Sequence, residues 1–155
     1  MAYRRFRFRL FIVGAAVSGL FVLASLTGAL ANDVGQIKVS TGAVRIERDG
    51  TTLPAPVGAG VRQSDVVVTG PDSSVGITFA DDSLLSVGPN SVLAIDRFAF
   101  DSTTHRGAFD SSLKKGTLAV VSGKLAKQSP DAMKVKTPAA LLGVRGTEFL
   151  VRTSE

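Results

Sequence analysis

The chain has 155 residues, of which 18 are basic and 13 acidic, and it contains no cysteine. The lack of cysteine excludes disulfides, thiolate chemistry and cysteine-based metal sites. Four of the basic residues precede residue 32, so the rest of the chain is nearly neutral, with 14 basic and 13 acidic residues. This balance argues against a nucleic-acid partner, because nucleic-acid binders concentrate Lys and Arg on a clearly basic domain.

The first 31 residues have the three-part order of a secretory signal. A basic start is followed by the apolar stretch Leu10–Leu26, and small residues then stand at Ala29 and Ala31. We predict a signal peptide over residues 1–31, cleaved after Ala31, and one mature domain over 32–155 in the periplasm or outside the cell. The alternative is an uncleaved anchor, since the uncharged stretch is long enough to span a bilayer. That segment would then be the chain's only contact with a membrane.

From Val34 onward, short runs alternate apolar and polar residues and are separated by Gly, Pro, Asp and Ser, a pattern typical of strands and turns. Asp49-Gly50 predicts a tight hairpin turn, because glycine accepts a positive φ without steric cost. The predicted strands are Gln36–Ser40, Ala43–Arg48, Asp65–Thr69, Ser74–Ala80, Leu84–Val87, Val92–Asp96, Thr117–Val121, Met133–Thr137 and Glu148–Arg152. We therefore predict an all-β domain of short antiparallel strands in two layers, either solenoid-like or a sandwich.

Two segments depart from this alternation. Residues 101–111 are polar and predict an exposed loop. Pro138–Leu142 predicts a single helical turn, with Thr137 as its N-cap and Pro138 at its first position. At most one short helical turn is expected in the domain.

Few side chains could carry catalysis or hold a ligand. His105 is the only histidine, and a nucleophilic triad would need a serine and an aspartate brought to it in space. We interpret His105 as a solvated loop residue. Asp81-Asp82 could bind calcium together with Asp96 or Asp101, but an aspartate pair more readily shapes a turn. We expect no catalytic residue, no metal and no cofactor.

Arg145 and Glu148 are the charged residues of most interest near the C-terminus. If Phe149 and Val151 point into the core, strand parity turns Arg145 inward as well, unless Gly146 forms a bulge. A buried guanidinium needs carboxylate or carbonyl partners. Two interpretations stay open: an ion pair that fixes the register of the last strand, which we favour, and a ligand-binding role.

Several short motifs, in their order along residues 34–151, resemble the FecR domain family. The C-terminal hallmark consists of Thr137-Pro138 followed by Arg145-Gly146-Thr147-Glu148-Phe149. The upstream segments that match are Gly35 with Val39, Gly42-Ala43-Val44, Asp65–Gly70, Ser83–Ser91 and Lys115-Gly116. The resemblance implies an extracytoplasmic all-β module, and the best-known members relay a siderophore-receptor signal to a sigma factor. Because nine residues precede the apolar stretch and few follow Val151, we expect a stand-alone module instead of such a relay.

We predict an exported, non-catalytic interaction or sensory module of the cell envelope, with a protein partner of unknown identity. The alternative is a structural envelope protein that binds peptidoglycan or other glycans. The lack of Trp and of any Tyr after residue 31 argues against a glycan site built on aromatic stacking. A hydrolase is the least supported class, because the chain has one histidine and no evident acid pair.

Overall fold

The structure is a computed structural model that describes residues 32–144 and 148–154. In these ranges the chain forms β-strands joined by short turns, with one short helix, α1 (Lys124–Gln128). The strands are β1 (Gly35–Thr41), β2 (Val44–Arg48), β3 (Thr51–Pro54), β4 (Gly60–Val61), β5 (Val66–Thr69), β6 (Ser74–Phe79), β7 (Leu84–Val87), β8 (Val92–Phe100), β9 (Gly107–Val121), β10 (Met133–Lys136), β11 (Leu141–Gly143) and β12 (Glu148–Thr153). The all-β fold class is confirmed. The predicted signal peptide over residues 1–31 lies outside the described residues.

The strands form one sheet that curls over on itself at β9. The first half has the order β4-β1-β6-β7-β9-β12, and the second half has the order β3-β2-β5-β8-β9-β10-β11. Strand β9 belongs to both halves and turns between them at Gly116, whose φ is +94°. The halves face each other, because the ring of Phe79 on β6 lies 5.6 Å from Phe98 on β8 and 4.6 Å from Phe109 on β9. The prediction of two layers is therefore confirmed.

Alternating side chains from both halves meet in a single core. Ile77 and Leu118 are buried from the first half, and Ile46 and Leu93 are buried from the second. The neighbouring positions along each strand point outward and are largely polar, as period-two alternation requires. Pairing is antiparallel except between β9 and β10 among the described strands.

The prediction of an exposed loop over residues 101–111 is wrong in its second half. Strand β9 begins at Gly107, and Phe109 is completely buried against the rings of Phe79 and Phe98. The loop proper comprises residues 101–106. Ser111 also points into the core, so a polar residue at an inward position hid the alternation in the sequence.

The helical turn forms at a different place from the one predicted. Residues Leu141–Gly143 belong to β11, and the helix is Lys124–Gln128, which buries Leu125 and Ala126. Thr137 does receive the N–H of Ala140 on its hydroxyl at 3.0 Å, as a cap would. Its own N–H, however, donates to the Ala140 carbonyl at 2.8 Å, which closes a hairpin turn between β10 and β11.

An internal repeat relates β5–β6 to β7–β8. Strand β6 pairs with β7 in the first half of the sheet, and β5 pairs with β8 in the second half. Each unit therefore contributes one strand to each half. Each unit turns through a Gly-Pro-Asp/Asn-Ser segment, at residues 70–73 and 88–91. The buried serine hydroxyl of each segment accepts a backbone N–H, and the residue that donates it directly follows a glycine of positive φ. The equivalent residues are Gly42, Ala43 and Ser73 in one copy and Gly116, Thr117 and Ser91 in the other.

Candidate interaction surface

The residues of the C-terminal hallmark are divided between two neighbouring elements. Thr137 and Pro138 lie in the turn between β10 and β11, where Pro138 is exposed. Glu148 and Phe149 begin β12, with Glu148 exposed and Phe149 half-buried. Arg145, Gly146 and Thr147 lie outside the described residues, so the ion pair predicted for Arg145 stays a prediction.

A buried ion pair does exist elsewhere, between Arg48 at the end of β2 and Asp65 just before β5. The Arg48 Nε and Nη2 atoms each donate to the Asp65 carboxylate at 2.7 Å, and Asp65 is completely buried. The same carboxylate accepts the backbone N–H of Arg62 at 2.8 Å, and Arg48 also donates to the Gly60 carbonyl at 3.0 Å. The hydrogen bond to Asp65 raises the pKa of Arg48. Sequence reasoning missed this pair, because no local pattern relates two residues 17 positions apart.

The remaining aspartates that sequence analysis considered are dispersed. Asp81 accepts hydrogen bonds from the Ser83 backbone and hydroxyl, so it shapes its own turn. Asp82 forms an exposed ion pair with Lys124, whose hydrogen bond lowers the pKa of Asp82. Among the described residues, no group of three or more acidic or histidine side chains is arranged to hold a metal ion.

His105 lies in the loop between β8 and β9. Its imidazole is half-buried and stacks on Phe100, with ring centroids 6.0 Å apart. Asp101, four residues earlier, accepts backbone N–H groups from Thr103 and Thr104, and these hydrogen bonds lower the pKa of Asp101. These contacts shape the loop.

The phenylalanines of the described residues do not form an exposed platform on which a sugar ring could stack. Phe79, Phe98 and Phe109 are buried, and Phe100 and Phe149 are half-buried. The geometry thus gives no support to a glycan site built on aromatic faces.

Strands β11 and β12 each carry a strongly exposed leucine. Leu141 on β11 and Leu150 on β12 are 65% and 70% exposed, the two highest values among the large apolar side chains described. Between these strands lies a cleft of about 190 Å³, lined by residues 142–144 and Phe149. We call β11, β12 and this cleft the C-terminal end.

Both strands of the C-terminal end have an unpaired edge within the described part of the chain. Strand β11 pairs only with β10, and β12 pairs only with β9. Such an edge presents backbone N–H and C=O groups that can accept a further strand. At the opposite end of the sheet, β4 has two residues and β3 carries Pro54, and both features discourage strand addition.

A basic notch lies between β9 and the turn that joins β10 to β11. Lys114, Lys136, Thr137 and Pro138 line a depression of about 320 Å³ with no acidic side chain in its lining. Lys134 lies two residues before Lys136 and is also exposed. None of these lysines forms an ion pair with another described residue, although Asp110 lies opposite Lys134 on β9.

Within residues 32–144 and 148–154, no helix has the length and hydropathy needed to cross a lipid bilayer.

Comparison with protein-family models finds a match to the family described as FecR protein, over residues 65–155. This range runs from the buried Asp65 through the whole C-terminal end. No curated protein and no solved structure matches the chain.

Proposed function

Because the chain belongs to the FecR family, we propose that its β domain is an exported, non-catalytic interaction or sensory module of the cell envelope. The family points to a sensory or regulatory module associated with the envelope. Binding of a protein partner is supported by one observation above all: β11 has an unpaired edge and an exposed Leu141, and exposed lysines lie opposite it on β10.

The partner that fits this edge is an extended segment carrying acidic side chains. Leu141 and Gly143 point to the outer face of β11, and Lys136 and Lys134 lie directly opposite them on β10. Nothing lies within 4 Å of the position that a Cβ on Gly143 would take, so the Lys134 side chain has room to extend over it. A strand added to β11 would lie about 10 Å from β10, which a lysine and a carboxylate side chain can bridge together. Backbone pairing would supply affinity, and the lysines would select an acidic segment.

The dispersal of ionisable groups supports a non-catalytic role. Asp65 and Asp81 accept structural hydrogen bonds, and the ring of His105 stacks on Phe100. General acid–base catalysis requires such groups within hydrogen-bond reach of one reacting atom.

Export is tested by expressing the full chain with a C-terminal tag, fractionating the cells and sequencing the N-terminus of the recovered protein. We expect the protein in the envelope or periplasmic fraction, with Asn32 as its first residue. Recovery in the cytosol with an intact N-terminus would contradict export.

Partner binding is tested by cross-linking in the envelope, comparing the wild-type chain with Leu141→Asp and Lys134→Glu. We expect one defined protein to be captured by the wild type and lost with both variants, because each opposes the proposed apolar or acidic contact. Val57→Asp is the matched control, since Val57 is 63% exposed and lies outside β11 and β12. Equal capture by all variants would exclude the β11 edge, and sedimentation with purified cell wall instead would favour the glycan-binding alternative.

A further inference from the structure

We propose that β12 is a self-association strand, through which two copies of this chain pair antiparallel about Leu150. The surface is the free edge of the first half of the sheet, which the cleft separates from the β11 edge to which the proposed partner would bind. The inference therefore does not depend on the proposed function. The occupant of the β12 edge is a second copy of the same strand.

Strand β12 pairs on one side only among the described strands, and its outer face is exposed. The strand pairs with β9 through six positions, from Glu148 opposite Val121 to Thr153 opposite Gly116. Its inward side chains are covered, Phe149 partly and Val151 almost fully. Leu150 points to the outer face, where it lies opposite the small side chain of Ala119 and stays 70% exposed. An apolar side chain of this size at a strand edge is a common feature of interfaces.

The sequence of β12 is complementary to itself when it is reversed. An antiparallel pair centred on Leu150 sets Leu150 against its own copy, on the outer face of both sheets. On the inner face, Phe149 of each copy lies opposite Val151 of the other. On the outer face, Glu148 of each copy lies opposite Arg152 of the other. Every facing pair is therefore apolar with apolar or acidic with basic, and each kind of pair stabilises neighbouring strands.

Glu148 and Arg152 have no ion-pair partner among the described residues. They do not pair with each other within one chain, where four residues of extended strand separate their Cα atoms by about 13 Å. On β9 they lie opposite Val121 and Thr117, which carry no charge. An antiparallel second copy brings an opposite charge to both residues at once, and a parallel copy would set like charges together.

Edge strands that are protected from association are short, or carry lysines, proline, a bulge or charges that point inward. The two charges of β12 have opposite signs and stand at equal distances from Leu150. They thus permit one antiparallel register and disfavour parallel pairing, which is the behaviour of a specific contact.

The lack of native cysteine makes a direct proximity test available. In the full chain, expressed with its leader and purified as the cell processes it, Leu150→Cys should form an intermolecular disulfide under mild oxidation. The two sulfurs would lie at directly facing positions of the paired strands, within disulfide reach. Val57→Cys is the matched control, because Val57 is similarly exposed and lies on neither proposed surface. Cross-linking of Leu150→Cys no faster than that of Val57→Cys would overturn the proposal.

A charge exchange tests the register independently of any cysteine. Glu148→Arg or Arg152→Glu alone sets two like-charged pairs across the contact, and we expect each to weaken dimerisation by about tenfold in sedimentation velocity. The double variant Glu148→Arg/Arg152→Glu restores opposite charges and should regain dimerisation close to that of the wild type. Both residues are exposed, so circular dichroism should show an unchanged fold. Failure of the double variant to recover, or a wild type that stays monomeric up to about 0.5 mM, would refute pairing through β12.

Discussion

Replacing Arg48 by methionine should lower the free energy of unfolding by about 3–5 kcal/mol, the usual cost of removing one member of a buried ion pair. The variant retains an apolar stem but removes both 2.7 Å hydrogen bonds from the guanidinium to Asp65. The completely buried carboxylate then keeps only the backbone N–H of Arg62. A buried charge without a counter-ion is the source of the cost, because the interior screens it far less than water does.

Replacing the other member of the pair, Asp65→Asn, should lower the free energy of unfolding by less, about 1–3 kcal/mol. The Arg48 side chain is 19% exposed, so its guanidinium can reach water, and it still donates to the Gly60 carbonyl. Both substitutions break the same contact, so their effects should not add. The free energy of unfolding of the double variant should therefore fall by at least about 1 kcal/mol less than the sum of the two single-variant losses.

These values are measured by urea denaturation at pH 7, followed by far-ultraviolet circular dichroism because the chain has no tryptophan. Arg45→Met is the control: Arg45 pairs with Glu47 on the surface, where both side chains are about half exposed, and its loss should cost at most about 1 kcal/mol. A loss below about 1 kcal/mol for Arg48→Met, or strictly additive losses, would refute the assignment of Arg48–Asp65 as a coupled buried pair.

Three further variants probe the core, the turn and a surface pair. Phe109→Ala should cost about 3–5 kcal/mol and lower the melting temperature by about 10–20 °C in calorimetry, whereas a residue of an exposed loop would change little. Gly116→Ala should cost clearly more than Gly58→Ala: both glycines have φ near +90°, but only at Gly116 would the new Cβ lie within 2 Å of another atom. Equal thermal shifts for the two glycine variants would contradict this. Lys124→Met should raise the pKa of Asp82 towards 3.8 in an NMR titration, because the hydrogen bond from Lys124 lowers it. The pair stabilises the fold at neutral pH, and this stabilisation is lost as the pH falls through the pKa of Asp82. An unchanged titration of Asp82 in the variant would contradict the pair.

Strand positions were predictable wherever inward side chains were apolar and turns had strong local preferences. Asp49 and Gly50 both have positive φ, +49° and +74°, as the predicted hairpin between β2 and β3 requires. The same rules failed around Ser111, where a polar residue points inward and a buried strand was read as a loop. Sequence polarity reports solvent exposure only on average, so one buried serine was enough to hide the alternation.

The hairpin after β10 shows a different limit. Thr137 followed by Pro138 fits the start of a helix, and the Thr137 hydroxyl does bind the Ala140 N–H. The same hydrogen bond serves a tight turn equally well, and what decides between them is whether the next residues find a strand to pair with. Leu141–Gly143 pair with β10, which is tertiary information that no local pattern contains.

The candidate surface was only partly accessible to sequence reasoning. Of the hallmark residues, Phe149 lies in the C-terminal end, and Thr137 and Pro138 lie in the turn that leads into β11. The unpaired edges of β11 and β12 depend on the strand order of the whole sheet, so they could not be read from the residues alone. The buried pair of Arg48 and Asp65 likewise follows from the pairing of β2 with β5. By contrast, the Gly-Pro-Asp/Asn-Ser turns recur 18 residues apart, a signal that the sequence contained and that would have indicated the internal repeat.

Polar side chains in and beside the upstream segments that resemble the family form hydrogen bonds within the sheet. Thr69 donates to the Gly88 carbonyl, the Ser91 hydroxyl accepts the N–H of Thr117, and Ser83 binds both Asp81 and the N–H of Gly123. A side chain whose hydrogen bonds are spent inside the sheet, and which is buried, has no donor or acceptor left for a ligand. These segments therefore report how the chain folds. Recognition at the proposed surface would use groups that the sheet leaves unpaired, which include the free edges of β11 and β12 and the exposed lysines of β10.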